Sequence, residues 1–227
     1  MIKVNGFVAI EIFLIVTLLN LASIAEAQTI QDKIYEVGEQ GNSVGSVTPV
    51  FSQIIKFNYP KGFVPAFENT KNGLYTQEHV LKGETVEIWT QMFSLFGFKD
   101  FSKNPNIPLN GFGARYLAMT QQACPNSYFG GKLTDLKVGA YDAGVWFFSC
   151  GSVKNRNGVN SEATMSIVIK GENDFYNIQW AERGEPQETA MKFDEAKWIA
   201  RFKAIMPIKF CQKVPGEIFP YPSCLDK

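Results

Sequence analysis

The sequence predicts an α+β fold, a single antiparallel β-sheet with helices packed on it, and three features carry that prediction. Residues 143–183 read as a meander of three strands joined by two turns. Gly113–Ala123 and Phe193–Ile205 carry the apolar spacing of helices that could cover such a sheet. Four cysteines, Cys124, Cys150, Cys211 and Cys224, stand where they could staple its parts together.

In the meander, Gly144–Phe148 is an almost unbroken apolar run, short enough for a central strand and rich in the aromatic residues that suit a pleated surface. Ala163, Met165, Ile167 and Ile169 then alternate with Thr164, Ser166 and Val168, the period of a strand with one face in the core. Asn157-Gly158 supplies the positive φ angles of the turn between these two strands, and Gly171–Asp174 supplies the next turn. Tyr176, Ile178 and Trp180 alternate with Asn177, Gln179 and Ala181 in the third strand.

Upstream, Met1–Ala27 has Lys3, an apolar stretch from Phe7 to Ala22 and the small-residue site Ala25-Glu26-Ala27. This is the pattern of a secretory signal peptide cleaved after Ala27. Glu11 and Asn20 interrupt the apolar stretch, which weighs against the alternative of a membrane anchor. Residues 28–49 are polar and rich in Gly, Ser and Thr, and read as a flexible leader. The α+β domain is expected over 50–210. It opens with strands at Ser52–Asn58 and Gly62–Phe67 around the turn Tyr59–Gly62, and continues through the hairpin signal Asn72-Gly73 into Leu74–Leu81. Glu87–Phe96 is apolar on both faces and reads as a covered strand, with a buried helix as the alternative. Phe98–Asn110 reads as a long loop, and Tyr128–Val138 as a hairpin turning at Gly130-Gly131. In Phe193–Ile205, Asp194 is placed to cap the first turn, and Ala196, Ile199, Phe202 and Ile205 form the expected core stripe. Residues 211–227, with Pro215, Pro220 and Pro222, read as a Pro-rich tail without regular structure, tethered by a disulfide.

The chain holds 22 basic and 22 acidic residues, and removing Lys3, Glu11 and Glu26 with the signal peptide shifts that balance by a single charge. No basic field or Lys/Arg run is present to draw nucleic acid. An even cysteine count in an exported chain implies two disulfides. Of three connectivities, Cys124–Cys150 with Cys211–Cys224 closes two local loops and is the expected one. No sequence fingerprint calls for a cofactor, and neither the cysteine spacing nor the one histidine suits a metal.

Gly41–Gly45 matches the G-x-S-x-G elbow of hydrolases around Ser43, but its flanks are polar and no acid-then-histidine order follows. His79 reads as a sheet histidine. Glu84, Glu87, Glu162, Asp174 and Glu182 could supply an acid/base pair, yet nothing in their spacing selects two. Trp89, Trp146, Trp180 and Trp198 each sit in an apolar pattern and read as core. No catalytic residue is therefore assigned.

Tyr59-Pro60-Lys61-Gly62-Phe63, Gly83-Glu84-Thr85 leading to Trp89-Thr90-Gln91-Met92, the Cys150-Gly151 hairpin, Gln179-Trp180-Ala181 and a last helix ending at Pro207 form a recognisable order. It resembles a family of uncharacterised exported bacterial proteins and, more distantly, the PsbP-type α/β/α sandwich. The resemblance covers about residues 50–210 and implies a fold. It carries no active-site residue across. The disulfides and the Pro-rich tail depart from the PsbP pattern and set any photosynthetic role aside. The expected function is that of an exported, periplasmic or secreted, non-enzymatic accessory protein that binds another protein or a small ligand and has no stable membrane insertion. The alternative is an exported hydrolase using carboxylates.

Overall fold

The computed structural model describes residues 43–155 and 157–225. The expected signal peptide, residues 1–27, and residues 28–42 of the expected leader lie outside the described residues. In chain order the strands are β1 (Ser43–Val50), β2 (Gln53–Pro60), β3 (Phe63–Lys71), β4 (Leu74–Leu81), β5 (Gln91–Phe98), β6 (Tyr128–Val138), β7 (Tyr141–Asn155), β8 (Gly158–Lys170), β9 (Phe175–Gly184) and β10 (Lys209–Gln212). The helices are α1 (Leu109–Ala123) and α2 (Glu195–Ile205).

These elements make an α+β fold with two sheets, which corrects the expectation of a single one. One sheet has seven strands in the order β3-β4-β5-β9-β8-β7-β6, and the other has three in the order β1-β2-β10. The reason lies in β2. Its backbone edges are taken by β1 on one side and β10 on the other, while Ile55, Phe57 and Tyr59 are buried. Phe57 stacks on Phe93 at 5.4 Å and Tyr59 tilts against His79 at 4.7 Å, so β2 lies face to face on the larger sheet instead of extending its edge. Tyr59–Gly62 consequently carries the chain from one sheet to the other and is not a hairpin. Asn72 and Gly73, both at positive φ, do close the β3–β4 hairpin.

Other boundaries also move. Ser43–Val50 is a strand where the sequence reads as leader, because its partner β2 supplies the pairing that its own polar residues do not announce. Lys209–Gln212 likewise pairs with β2, and Pro222–Cys224 forms a turn of 3₁₀ helix, so the tail is not free of regular structure. Glu87–Trp89 lies outside β5, although the strand reading of the rest holds. A 3₁₀ turn, Phe101–Lys103, sits within Phe98–Asn110, and α1 begins at Leu109. β6 runs straight through Gly130-Gly131, and the chain turns at Gly139. Glycine at 130 answers crowding: a Cβ there would sit 2.7 Å from the Tyr128 hydroxyl and 3.0 Å from the Phe147 carbonyl oxygen.

Alternation along β7 divides the interior in two. Val145 and Phe147 enter the larger core, between the seven-stranded sheet and the layer made by the small sheet and α2. Trp146 and Phe148 point the other way and meet α1 through Phe112 and Tyr116. Cys124 at the end of α1 pairs with Cys150 of β7, and Cys211 of β10 pairs with Cys224, with Cα separations of 5.8 and 5.6 Å.

Candidate functional site

α2 is held on one side by charge. Asp194 accepts the Lys197 backbone N–H at 3.0 Å and starts the helix. One turn on, Lys197 and Arg201 both reach Glu182 of β9, Arg201 at 2.7 Å. The Arg201 guanidinium lies 4.4 Å from the Trp198 ring centre and 4.9 Å from that of Trp180. Gln91 of β5 completes the clamp, accepting from Trp180 Nε1 at 3.0 Å and Arg201 Nη2 at 3.2 Å.

The opposite side of α2 is not packed in this way. On the face that carries Val145 and Phe147, β6 presents their cross-strand partners Thr134 and Gly131. Both are small, and a β-bulge between Lys132 and Thr134 takes Leu133 out of register. A Cβ built on Gly131 would meet nothing within 4 Å. The result is a pocket of about 320 Å³ lined by Leu133, Thr134, Val145, Met165 and, from the α2 segment, Phe193, Glu195, Trp198, Ile199 and Phe202. Its walls are apolar apart from Thr134 and Glu195. Trp198 is 1% exposed, stands edge-on to Phe147 at 5.2 Å, and its Nε1 has no hydrogen-bond partner among the described residues.

The expected core stripe of α2 is thereby corrected. Trp198 and Ile205 are the buried residues of the helix, whereas Ile199 is 42% exposed at the pocket and Ala196 is exposed. The charged clamp to β9 and the burial of Trp198 turn the helix by about one residue from the apolar stripe.

The remaining candidates are dispersed. Ser43 opens β1 opposite Pro60, and a strand rather than a helix follows it. His79 is 2% exposed in the larger core; burial pushes its pKa down to about 4, against the opposing effect of a hydrogen bond with the Phe93 backbone. Glu84 accepts from the Thr90 N–H and hydroxyl. Glu162 pairs at 2.9 Å with Arg183, whose guanidinium stacks 3.7 Å over Trp89. Asp174 is buried and accepts from the Ser52 N–H and hydroxyl, the Asp100 N–H and the Tyr176 hydroxyl. Burial works to raise its pKa, and these bonds outweigh that and hold it below the usual carboxylate range. A second pocket, of about 340 Å³, brings Glu87 together with Glu78, which sequence reasoning passed over, beside Asn155, Asn157 and Arg183. Burial raises the Glu78 pKa. Among the described residues no cluster of His, Cys, Asp or Glu side chains is placed to hold a metal ion, and no helix is long and apolar enough to cross a membrane.

Sequence reasoning found Trp198 as a core residue but not as the wall of a pocket. Gly131 and Thr134, small residues facing a strand of large ones, were the available signal.

No family model matches the chain, and a search of curated proteins finds no match. Among solved structures the chain is similar to the Ran-binding protein Mog1p of Saccharomyces cerevisiae, with 10% identity over 73% of this chain and 86% of that one at a TM-score of 0.38. A point mutant of Mog1 gives 11% identity over 72% and 89% at 0.39. LpqN, involved in cell envelope biogenesis of Mycobacterium tuberculosis, gives 9% over 78% and 96% at 0.31. These likenesses are loose, and neither fold nor function is taken from them.

Proposed function

We propose that this chain is an exported, non-enzymatic binding protein that holds a small apolar ligand in the pocket beneath α2. The observation that carries the reading is the pocket itself. About 320 Å³ lies between α2 and β6 with apolar walls and few polar groups. Ligand sites are concave, mostly apolar and furnished with a small number of polar groups, and this pocket has that composition. Two disulfides suit an oxidising compartment, which supports export to the periplasm or the medium after cleavage at Ala27. The likeness to PsbP-type sandwiches belongs to the same proposal and adds no ligand to it.

The test is to purify the protein from the exported fraction, measure its intact mass, and extract it with organic solvent for mass spectrometry. A chain beginning at Gln28 and carrying an apolar compound near one per protein supports the reading. A chain that carries none, and that takes up no small aromatic hydrocarbon at saturating concentration, sinks it.

A second reading, a hydrolase using two carboxyl groups, has the pocket shared by Glu78 and Glu87 in its favour. Hydrolysis of chromogenic glycosides, abolished by either Glu78→Gln or Glu87→Gln, would establish it in place of the first.

A further inference from the structure

Strand alternation sets the pocket of Glu78 and Glu87 on the sheet face opposite His79. Tyr75 and His79 of β4 enter the larger core, so Glu78 projects from the other face, beside Phe67, its cross-strand partner on β3. Val86 and Glu87 come from the β4–β5 loop and Arg183 from β9, and with the β7–β8 turn they surround about 340 Å³. The Asn157 side chain of that turn donates to the Glu87 carbonyl and ties the loop in place. We infer that this pocket is a second ligand site, which takes a primary ammonium carried on an apolar body and holds it at the Glu78 carboxylate.

The cation follows from Glu78. Its carboxylate has no hydrogen bond and no ion pair among the described residues. Burial raises its pKa, and no nearby charge or donor offsets that effect. A carboxylate drawn partly out of water without a partner is costly, and an ammonium that donates to it removes that cost. Neither oxygen is sealed from solvent, so a group in the pocket reaches them.

The rest of the lining agrees. Glu87 adds a second carboxylate on the exposed side. Arg183, the cation of the lining, is already paired with Glu162 at 2.9 Å and lies 3.7 Å over the Trp89 ring. The lining is left with an excess of negative charge, which draws a cation and repels an anion. Val86 and the half-exposed Phe67 give the body of the ligand an apolar wall, and an aromatic face is itself a favourable neighbour for an ammonium. The volume sets the scale, with room for roughly ten non-hydrogen atoms.

Titration calorimetry on the full chain tests this with phenethylamine, 2-phenylethanol and 3-phenylpropanoate, which share a ring and a two-carbon arm and differ in charge. The amine is a cation at neutral pH. It is expected to bind about tenfold more tightly than the alcohol, the margin of a charge-assisted hydrogen bond, and the carboxylate is expected to bind more weakly than either. Glu78→Gln should erase the amine's advantage while leaving the alcohol within about twofold of wild type. Glu87→Gln, on the exposed side, should weaken the amine by about threefold at most. No binding of the amine, alcohol or carboxylate binding as tightly as the amine, or an amine advantage that survives Glu78→Gln overturns the inference. So does a Glu78→Gln chain that fails to fold, because Glu78 would then have a structural partner. The site lies on the other face of the sheet from the α2 pocket, and the two readings fail separately. Thr134→Phe, which narrows the α2 pocket, should leave the amine's affinity within about twofold. A loss there as large as that from Glu78→Gln would place the amine in the α2 pocket, overturning this inference and sparing that reading.

Discussion

Two helices pack on opposite faces of one sheet, and they do so differently. α1 is seated flush. Phe112 stacks on Phe175 at 4.9 Å, Tyr116 lies parallel to Phe148 at 6.0 Å, and Gly113 brings the helix backbone so close to Trp146 that a Cβ would lie 2.2 Å from the indole. α2 is held along one edge by Glu182, Arg201 and Gln91, and stands off β6 along the other. Close packing holds the first half of α1 to the sheet, whereas a polar clamp holds α2 along one edge and leaves an apolar opening of about 320 Å³ along the other. The site proposed for the apolar ligand is on the α2 face.

The largest effect should come from untying α1. The Cys124–Cys150 bridge spans a sequence separation of 26, and replacing both residues by serine is expected to lower stability by about 3.5 kcal/mol in the loop-entropy account, read as a shift in denaturant midpoint. An unchanged midpoint would mean that α1 is seated by packing alone. Gly113→Ala is expected to cost about 3 kcal/mol, because the methyl group has no space against Trp146. A helix-propensity gain in its place would show that α1 is not flush.

Acid should distinguish the faces by a smaller amount. His79 lies in the core on the α2 face with its pKa lowered to about 4, so between pH 6.5 and 4 the unfolded chain binds a proton that the folded chain refuses. Stability is full above the unfolded pKa and falls through that window on acidification, by about 3 kcal/mol at most. His79→Phe should flatten this segment of the pH profile. The Asp174 contribution has the same sign but lies lower, present above its ordinary pKa and lost as pH falls through its depressed one. A profile between pH 6.5 and 4 that keeps its slope in His79→Phe would remove the histidine from the account. The smallest effect belongs to Ile199→Ala, expected to cost less than about 0.5 kcal/mol because Ile199 borders the pocket rather than the core. A loss of about 2 kcal/mol or more would mean that α2 packs its apolar stripe inward after all.

Much of this was readable from residue order. The meander of β7, β8 and β9, the Asn72-Gly73 turn and the Asp194 cap are local features, set by period and turn chemistry within a few residues. The second sheet was not legible because its pairings are distant: β2 meets β10 across the length of the domain, and β1 has no apolar alternation of its own. The pocket was hidden for a related reason. It arises from what Gly131 and Thr134 do not fill opposite Phe147 and Val145, and an absence of volume across two strands leaves no periodic trace in either. Gly130-Gly131 looked like a turn because glycine pairs are common there, while at this place they relieve crowding on one face and leave space on the other. The orientation of α2 was misjudged by about one residue because hydrophobic periodicity gives no weight to Arg201, whose clamp to Glu182 accompanies the burial of Trp198.

The central claim is that the α2 face, and not the α1 face, takes the apolar ligand, and the indole N–H signals in a ¹H–¹⁵N spectrum report on both at once. The chain has four tryptophans, of which Trp146 lies beneath α1 and Trp198 projects from α2 at the pocket. On titration with a small aromatic hydrocarbon, the Trp198 indole signal is predicted to shift saturably while that of Trp146 stays in place. A Trp198 signal that does not move, or a Trp146 signal that moves as far, would contradict the account.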